Sequence, residues 1–474
     1  MSFLGLNEAS YIGRTTHDSL AISFDMTYSG LGPPSPQVVQ AVTHLTNLQV
    51  PGEEREAIHW EKFDGVAREY YSQIRASDQS NGQLRIFLAL LSGYFHELRH
   101  AHDFLATVYG QDALFLLMNS YQNLPSVLSA LADWQEKEPH RGVPLPLRAD
   151  LDGLASEVSQ VIERYRKTND RLRPLHEPAE FTLSSLSVKH LFETTATQIQ
   201  LDFMHDLFGE QAVFELLDVI GQSKDAGIYL KASNEARDIF ASHKFRGPGL
   251  GSLLNYLVWC SLMGLAPRGK TLEHNISPVI VFDGLVQHVS ANCHEWDPDV
   301  CRRCVVDFCD RWGLYSPEEM VNRYRQVMSK RLESAAKTPK AESYSYFRRI
   351  AGCYRAFVKA YDRVHEIRRA QPEFWLNGRV YAWATLSGQF PSAHVTLRIA
   401  GELHDFVTHG RRYLSHRRWT LLNTLSMLLR VLVMGRGNTS DPVMENYAFH
   451  LLTERGWDGR PIRFEENDDI WNFS

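Results

Sequence analysis

The sequence predicts a mainly α, multi-helical protein with a few minor strands. Apolar residues recur with the 3.6-residue helical period over most of the chain, whereas only three stretches alternate with the period of a strand. Hydrophobic residues are 44% and charged residues 22%, the composition of an ordinary folded domain rather than a disordered or fibrous chain. At 474 residues the chain exceeds the size at which one hydrophobic core stops growing, roughly 250–300 residues, so two or three packed units are expected.

The elements follow in order. LAISFDMT at Leu20 to Thr27 alternates and reads as a strand, and GLGPPSP at Gly30 to Pro36 is a turn. Helical periodicity then covers 37–48, 54–75, 82–109 and 111–133. Within the third of these, Leu84 to Leu91 is nearly continuously apolar, as in a helix buried on several sides, and Gly110 is expected to cap it after Tyr109. After a Pro-rich break at Pro139 to Pro146, helices are expected over 149–169, 187–208, 210–220 and, past the turn RGPGLG at 246–251, over 250–264. PVIVF at Pro278 to Phe282 reads as a strand, as does Arg379 to Ala384 more weakly. Helices are expected again over 300–311, 317–334, 344–370, 396–408 and 417–434, with a break at AAKTPKAES, 335–343. The punctuation divides the chain into a helical catalytic half, 1–270, and a helical second half, 271–474, suited to an interaction or substrate module. VYGQDALFLL at 108–117 and LFGEQAVFEL at 207–216 read as two helix-Gly-helix junctions with similar caps.

The formal charge of −6 leaves no global nucleic-acid footprint. MSFLGLNEASYIGRTTHDS lacks the basic start and apolar run of an export signal. Leu421 to Met434 is too short to span a bilayer and carries Asn423, Ser426 and Arg430, so a membrane is not an expected partner. Six cysteines are too few for a disulfide framework, and reduced thiols in the cytoplasm are expected.

The chemistry concentrates in FHELRHAHDFLATVYG, Phe95 to Gly110. His96 and His100, four residues apart, place two imidazoles on one helix face about one turn apart, as two ligands of one metal require. Glu97 stands about 100° round the helix, where it reaches a metal-bound water without being a ligand. Asp103 shares the histidine face and is placed to hydrogen-bond a ligating imidazole. This HExxH resembles the zincin metallopeptidases, in which the histidines hold zinc and the glutamate takes the proton of an activated water. The metzincin subclass is excluded, because the positions of its Gly and third His hold Asp103 and Ala106.

The expected third ligand is Glu193 in LFETTATQIQLDFMHDLFG, followed by Thr194, Thr195, Ala196 and Thr197, whose small side chains permit close helix approach. Glu193-x-x-Ala196 resembles the third-ligand helix of gluzincin-type peptidases. His190, Asp202 and His205 are substitutes on the same helix, and Arg99, His205 and Tyr229 are candidates to stabilise an oxyanion. The resemblance covers about 30 residues in two pieces. It implies a zinc-dependent hydrolase that cleaves a peptide or amide bond, with a peptide or protein substrate as partner.

Other readings remain open at this point. Two histidines and a carboxylate also form the facial triad of non-haem Fe(II) enzymes, and Glu97-x-x-His100 with Asp202-x-x-His205 is an imperfect di-iron pattern. His-Asp pairs begin at His17, His102, His205 and His404, the unit that helical HD phosphohydrolases use. Cys293, His294, Cys301, Cys304 and Cys309 offer half of a zinc knuckle but read better as buried thiols. RGPGLGS at 246–252 reads as a turn, and the basic run HGRRYLSHRRW at 409–419 as a solvated helix junction. A helical interaction protein without catalysis is the non-enzymatic alternative.

Overall fold

The computed structural model describes residues 13–16, 21–25, 32–47, 56–78, 82–138, 186–222, 226–245, 249–270, 276–336, 345–391, 395–399 and 402–406, with isolated positions between 140 and 163 and between 393 and 426. Among the described residues the fold is mainly α: β1 (Gly13–Thr16) and β2 (Ala21–Asp25) precede α1 (Pro36–Asn47), α2 (Glu56–Ser77), α3 (Gly82–Ala106) and α4 (Val108–Lys137). There follow α5 (Val188–Phe208), α6 (Glu210–Gln222), α7 (Ala226–Ser242), α8 (Leu250–Leu262), α9 (Pro278–Asn292) and α10 (Pro298–Arg311). The chain continues through α11 (Pro317–Ala336), α12 (Ser345–Ala370), α13 (Glu373–Leu376), α14 (Gly378–Leu386), β3 (Val395–Ile399) and β4 (Glu402–Phe406). No described helix is long and apolar enough to cross a membrane.

Helix α3 is the axis of the molecule. Its Leu84–Leu91 run is buried as its composition demands, and the helix packs against α1, α2, α4, α5, α6, α12 and β1. Helix α5 lies antiparallel across it: Phe95 meets Phe203 at 4.5 Å between ring centroids, and Phe104 stacks on Phe192 at 4.8 Å. Aromatic pairs at both ends thus fix the crossing, each worth about 0.5–1.5 kcal/mol beyond its burial.

The junction after α3 differs from the expectation. The helix ends at Ala106 rather than Tyr109, and Thr107 is the N-cap of α4, its hydroxyl accepting from the Gly110 amide at 3.1 Å. Gly110 is therefore inside the first turn of α4, where a Cβ would run into the Phe104 backbone. Gly209, its counterpart in the other junction, is a true helix terminus at φ 84°. The two glycines serve different physical needs, close approach in one case and left-handed backbone in the other. Gly110→Ala is expected to lower stability by about 1–3 kcal/mol, measured by urea unfolding.

Four further readings change. PVIVF forms the first turns of α9, because Pro278 at N1 supplies helical φ where no amide is needed, and a short apolar run alone does not distinguish a strand from a buried helix. Arg379 to Ala384 lies in α14, started by the Asn377 side chain accepting from the Val380 amide. The helix expected over 396–408 is instead the β3–β4 hairpin, since VTLRI gains a parallel partner in β2. Helix α7 was not anticipated: its buried Ala232, Ala236 and Phe240 keep the i, i+4, i+8 spacing, but alanines contribute little apolar signal. The helices expected over 149–169 and most of 417–434 fall outside the described residues, as does most of the basic run.

The strands form one sheet in the order β1-β2-β3-β4, antiparallel at both flanks and parallel at its centre, where Ile22 lies opposite Val395. This pairing ties the two ends of the described chain together. The helices on either side of residue 270 likewise share one hydrophobic core, with α12 on α3 and α4, and α14 on α5. His365 of α12 shows the consequence: its Nε2 donates to the carbonyl of Ala106 at 2.8 Å, capping the end of α3. Burial, then the charges of Arg368 and Arg369, hold this imidazole well below the ordinary value of 6.5. Because the unfolded chain then binds the proton more readily, stability present above pH 6.5 is lost as the pH falls below it. The loss of stability on going to pH 5 should be smaller in His365→Gln than in wild type, compared by urea midpoints at pH 5 and 7.5.

Candidate metal centre

The polar residues of α3 that face α5 are Ser92, His96, His100 and Asp103, spaced four, four and three apart and so on one helical stripe. All are buried, where unpartnered polar groups are costly. Ser92 Oγ accepts from Gln200 Nε2 at 2.7 Å, and the two histidines meet Glu193. His96 Nε2 is 3.2 Å and His100 Nε2 3.4 Å from Glu193 Oε2, and the two Nε2 atoms are 3.1 Å apart.

This triangle fits a small cation. Tetrahedral ligands at about 2.0–2.1 Å from zinc stand about 3.3–3.4 Å from one another, close to all three sides here. Only one of two neutral imidazoles facing through Nε2 can donate to the other, and both Nδ1 atoms are buried with no hydrogen-bond partner. A cation at the Nε2 atoms relieves the first conflict, since both rings then present lone pairs and carry their protons on Nδ1. His96, His100 and Glu193 form the one group among the described residues whose three donor atoms converge closely enough to hold a metal ion.

The electrostatics agree with a charged carboxylate at the centre. Burial opposes ionisation of Glu193, yet His100 and His96 hold its carboxyl well below the usual range. Burial likewise opposes charging of His100, but Glu193, with Glu97 and Asp103 behind it, raises its pKa. His96 and His100 are 6% exposed and Glu97 8%, so the cluster is largely shielded from water.

The remaining candidates sort themselves by position. Asp103 does not bond a ligating imidazole: its Oδ1 accepts from Arg99 Nε at 2.9 Å and its Oδ2 from Thr195 Oγ1 at 2.7 Å. Asp103 therefore joins Arg99, one turn back on α3, to Thr195 on α5, which spacing alone does not reveal. Arg99 is fully buried on the far side, donating through Nη1 to the carbonyl of Trp375 at 2.6 Å and stacking on that indole at 4.1 Å, so it is not aimed at the cluster. The His205 side chain is 60% exposed beside Asp206, remote from the site in character. Tyr229, on the unanticipated α7, sits edge-on to His96 at 5.8 Å between ring centres. His190 caps the start of α5 by accepting from the Ser187 amide, and burial, then Lys231 and Lys189, bring it down to about 4. Burial raises Asp202 to about 6, where it accepts from Gln198 Nε2 at 2.7 Å.

The alternative motifs find structural explanations where they are described. His102 is enclosed between the Tyr381 hydroxyl and the Pro391 carbonyl, each at 2.7 Å, and burial takes it down to about 4. Cys293 and Cys301 bring their Sγ atoms to 3.4 Å as free thiols, and burial raises Cys301. Gly249 caps α8 in the left-handed conformation, so the Gly-rich segment ends in a turn. Ser92 and Gln200 are members of the seam that the sequence did not single out, and Thr195 stood out only as a small side chain. Lys189, Thr194, Thr197 and Gln198 of α5 are buried as well, so polarity along this helix does not by itself single out the seam.

Comparison with known proteins finds no matching family model, no matching curated protein and no matching solved structure.

Proposed function

We propose that this protein is a zinc-dependent hydrolase of a peptide or amide bond, with His96, His100 and Glu193 as the metal ligands. The observation that carries the reading is the convergence of three donor atoms, from two helices about 90 residues apart in sequence, at distances of 3.1, 3.2 and 3.4 Å. A bound zinc supplies Lewis acidity, lowering the pKa of a coordinated water to about 7 and polarising the scissile carbonyl.

The chain's own groups supply the rest. Glu97, next to the first histidine and near enough to His100 to affect its charge, takes the proton of the attacking water and returns it to the leaving nitrogen. Tyr229 is the oxyanion candidate that stands against the cluster. Among the described residues β1 is an outer strand of the sheet and lies against α3, where an extended substrate would find a backbone to pair with.

Metal content tests the reading directly. Protein purified without a histidine tag should carry near one zinc per chain by mass spectrometry, lost in His96→Ala and in Glu193→Ala. Iron in place of zinc moves the assignment to Fe(II) chemistry at the same donors. Absence of any metal leaves α3 and α5 as part of a helical interaction protein.

A further inference from the structure

The seam between α3 and α5 contains a clamp that the hydrolytic reading leaves without a role. Arg99 is completely buried and carries a permanent charge; Asp103, equally buried, holds it at Nε, one helical turn away. The second oxygen of Asp103 crosses to Thr195, two residues beyond Glu193 on α5. Arg99 in turn reaches the second half of the chain, donating to the Trp375 carbonyl of α13 and lying between the rings of Trp375 and Tyr381, at 4.1 and 5.5 Å. A continuous chain of contacts therefore runs from α13 and α14 through Arg99 and Asp103 to the backbone segment that bears Glu193.

The geometry points to Arg99 and Asp103 as positioning residues, through which the helices of the second half hold Glu193 in register with His96 and His100. The inference rests on the metal reading above and adds a control on that site. The Asp103 carboxylate is constrained in two directions at once, by a guanidinium on its own helix and by a hydroxyl on the neighbouring one, so its rotamer is fixed by both. Thr195 is fixed as well, because its hydroxyl also lies 3.0 Å from the Phe192 carbonyl. On the other side of the histidines, Gln200 donates to Ser92 at 2.7 Å, so two interhelical hydrogen bonds flank His96 and His100 on α3, and the nearer of their α5 members, Thr195, stands two residues after Glu193. A shift of α5 along α3 that would separate Glu193 from the imidazoles must break both. The buried guanidinium leaves Nη2 without a partner, a cost that packing alone does not explain. Its two-armed grip on Asp103 and on Trp375 is what only an arginine in this place provides.

Cobalt(II) titration of the full-length, metal-stripped protein tests this, with visible absorption reporting ligand geometry and chelator competition reporting affinity. Thr195→Val keeps the side-chain shape and removes the bond to Asp103. It should weaken cobalt binding about 10–100-fold and alter the visible bands, while Thr195→Ser restores both. Arg99→Lys retains the charge but loses one arm of the clamp and should move the same two readouts in the same direction. Wild-type spectrum and affinity in Thr195→Val, or in a folded Arg99→Lys if the valine variant does not fold, overturn the clamp while leaving the metal site standing. Failure of the wild type itself to take up cobalt removes the metal reading, and the clamp's role with it.

Discussion

Glu97→Gln is expected to abolish turnover while leaving the metal in place. The amide is nearly isosteric with the carboxylate, so the 8%-exposed position accommodates it, but it does not accept a proton from water. Loss of a general base lowers the rate by about 10²–10⁴, which corresponds to roughly 3–5 kcal/mol of transition-state stabilisation. The measurement is cleavage of a fluorogenic peptide library by wild type and variant at equal zinc occupancy. Undiminished cleavage in Glu97→Gln removes this residue from the chemistry, and the zincin-like reading loses its base.

Arg99→Leu should produce the largest loss of stability of any single substitution considered. The guanidinium and its Asp103 partner are both buried, at 0% and 1% side-chain exposure, so truncation leaves a buried carboxylate without its countercharge, held by the Thr195 hydroxyl alone. Breaking such a pair from one side costs about 3–5 kcal/mol. By contrast, His205→Ala, which removes an exposed partner of Asp206, should change stability by no more than about 0.5 kcal/mol. Urea unfolding of both variants beside wild type makes the comparison. Near-equal midpoints would show that the Arg99–Asp103 pair contributes no more than a surface contact. Asp103→Leu in the Arg99→Leu background supplies the control: removing the second charge should return part of the loss, because an unpaired buried carboxylate is then absent.

Much of the helical layout was legible because burial imposes a period. The stretches around α1 to α6 and α10 to α12 carry apolar residues at helical spacing, and their observed bounds fall within a few residues of those expected. Legibility failed where the local signal was small or shared. Alanine at the buried positions of α7 hid a helix that brings Tyr229 to His96. Five apolar residues beginning at Pro278 fit a strand or a helix equally well, and the proline's fixed φ at the first helical position suits the helix. VTLRI became a strand through pairing with β2, whose Ile22 stands opposite Val395. No window of sequence contains both partners of such a pair.

The centre itself divides in the same way. By itself the sequence determined that His96 and His100 share a face, because four residues make about one turn of any helix, and that Glu97 stands beside that face. It also supplied Glu193 as a carboxylate flanked by side chains small enough for close packing. Only the tertiary structure decided that Glu193 meets both imidazoles, that Asp103 turns to Arg99 and Thr195, and that Trp375 anchors Arg99 from the far half of the chain. Helical periodicity fixes which side chains of one helix point together, since it is a property of local backbone geometry. Which second helix they meet, and in what register, is set by the packing of aromatic pairs such as Phe95–Phe203 and Phe104–Phe192, whose members are remote in sequence.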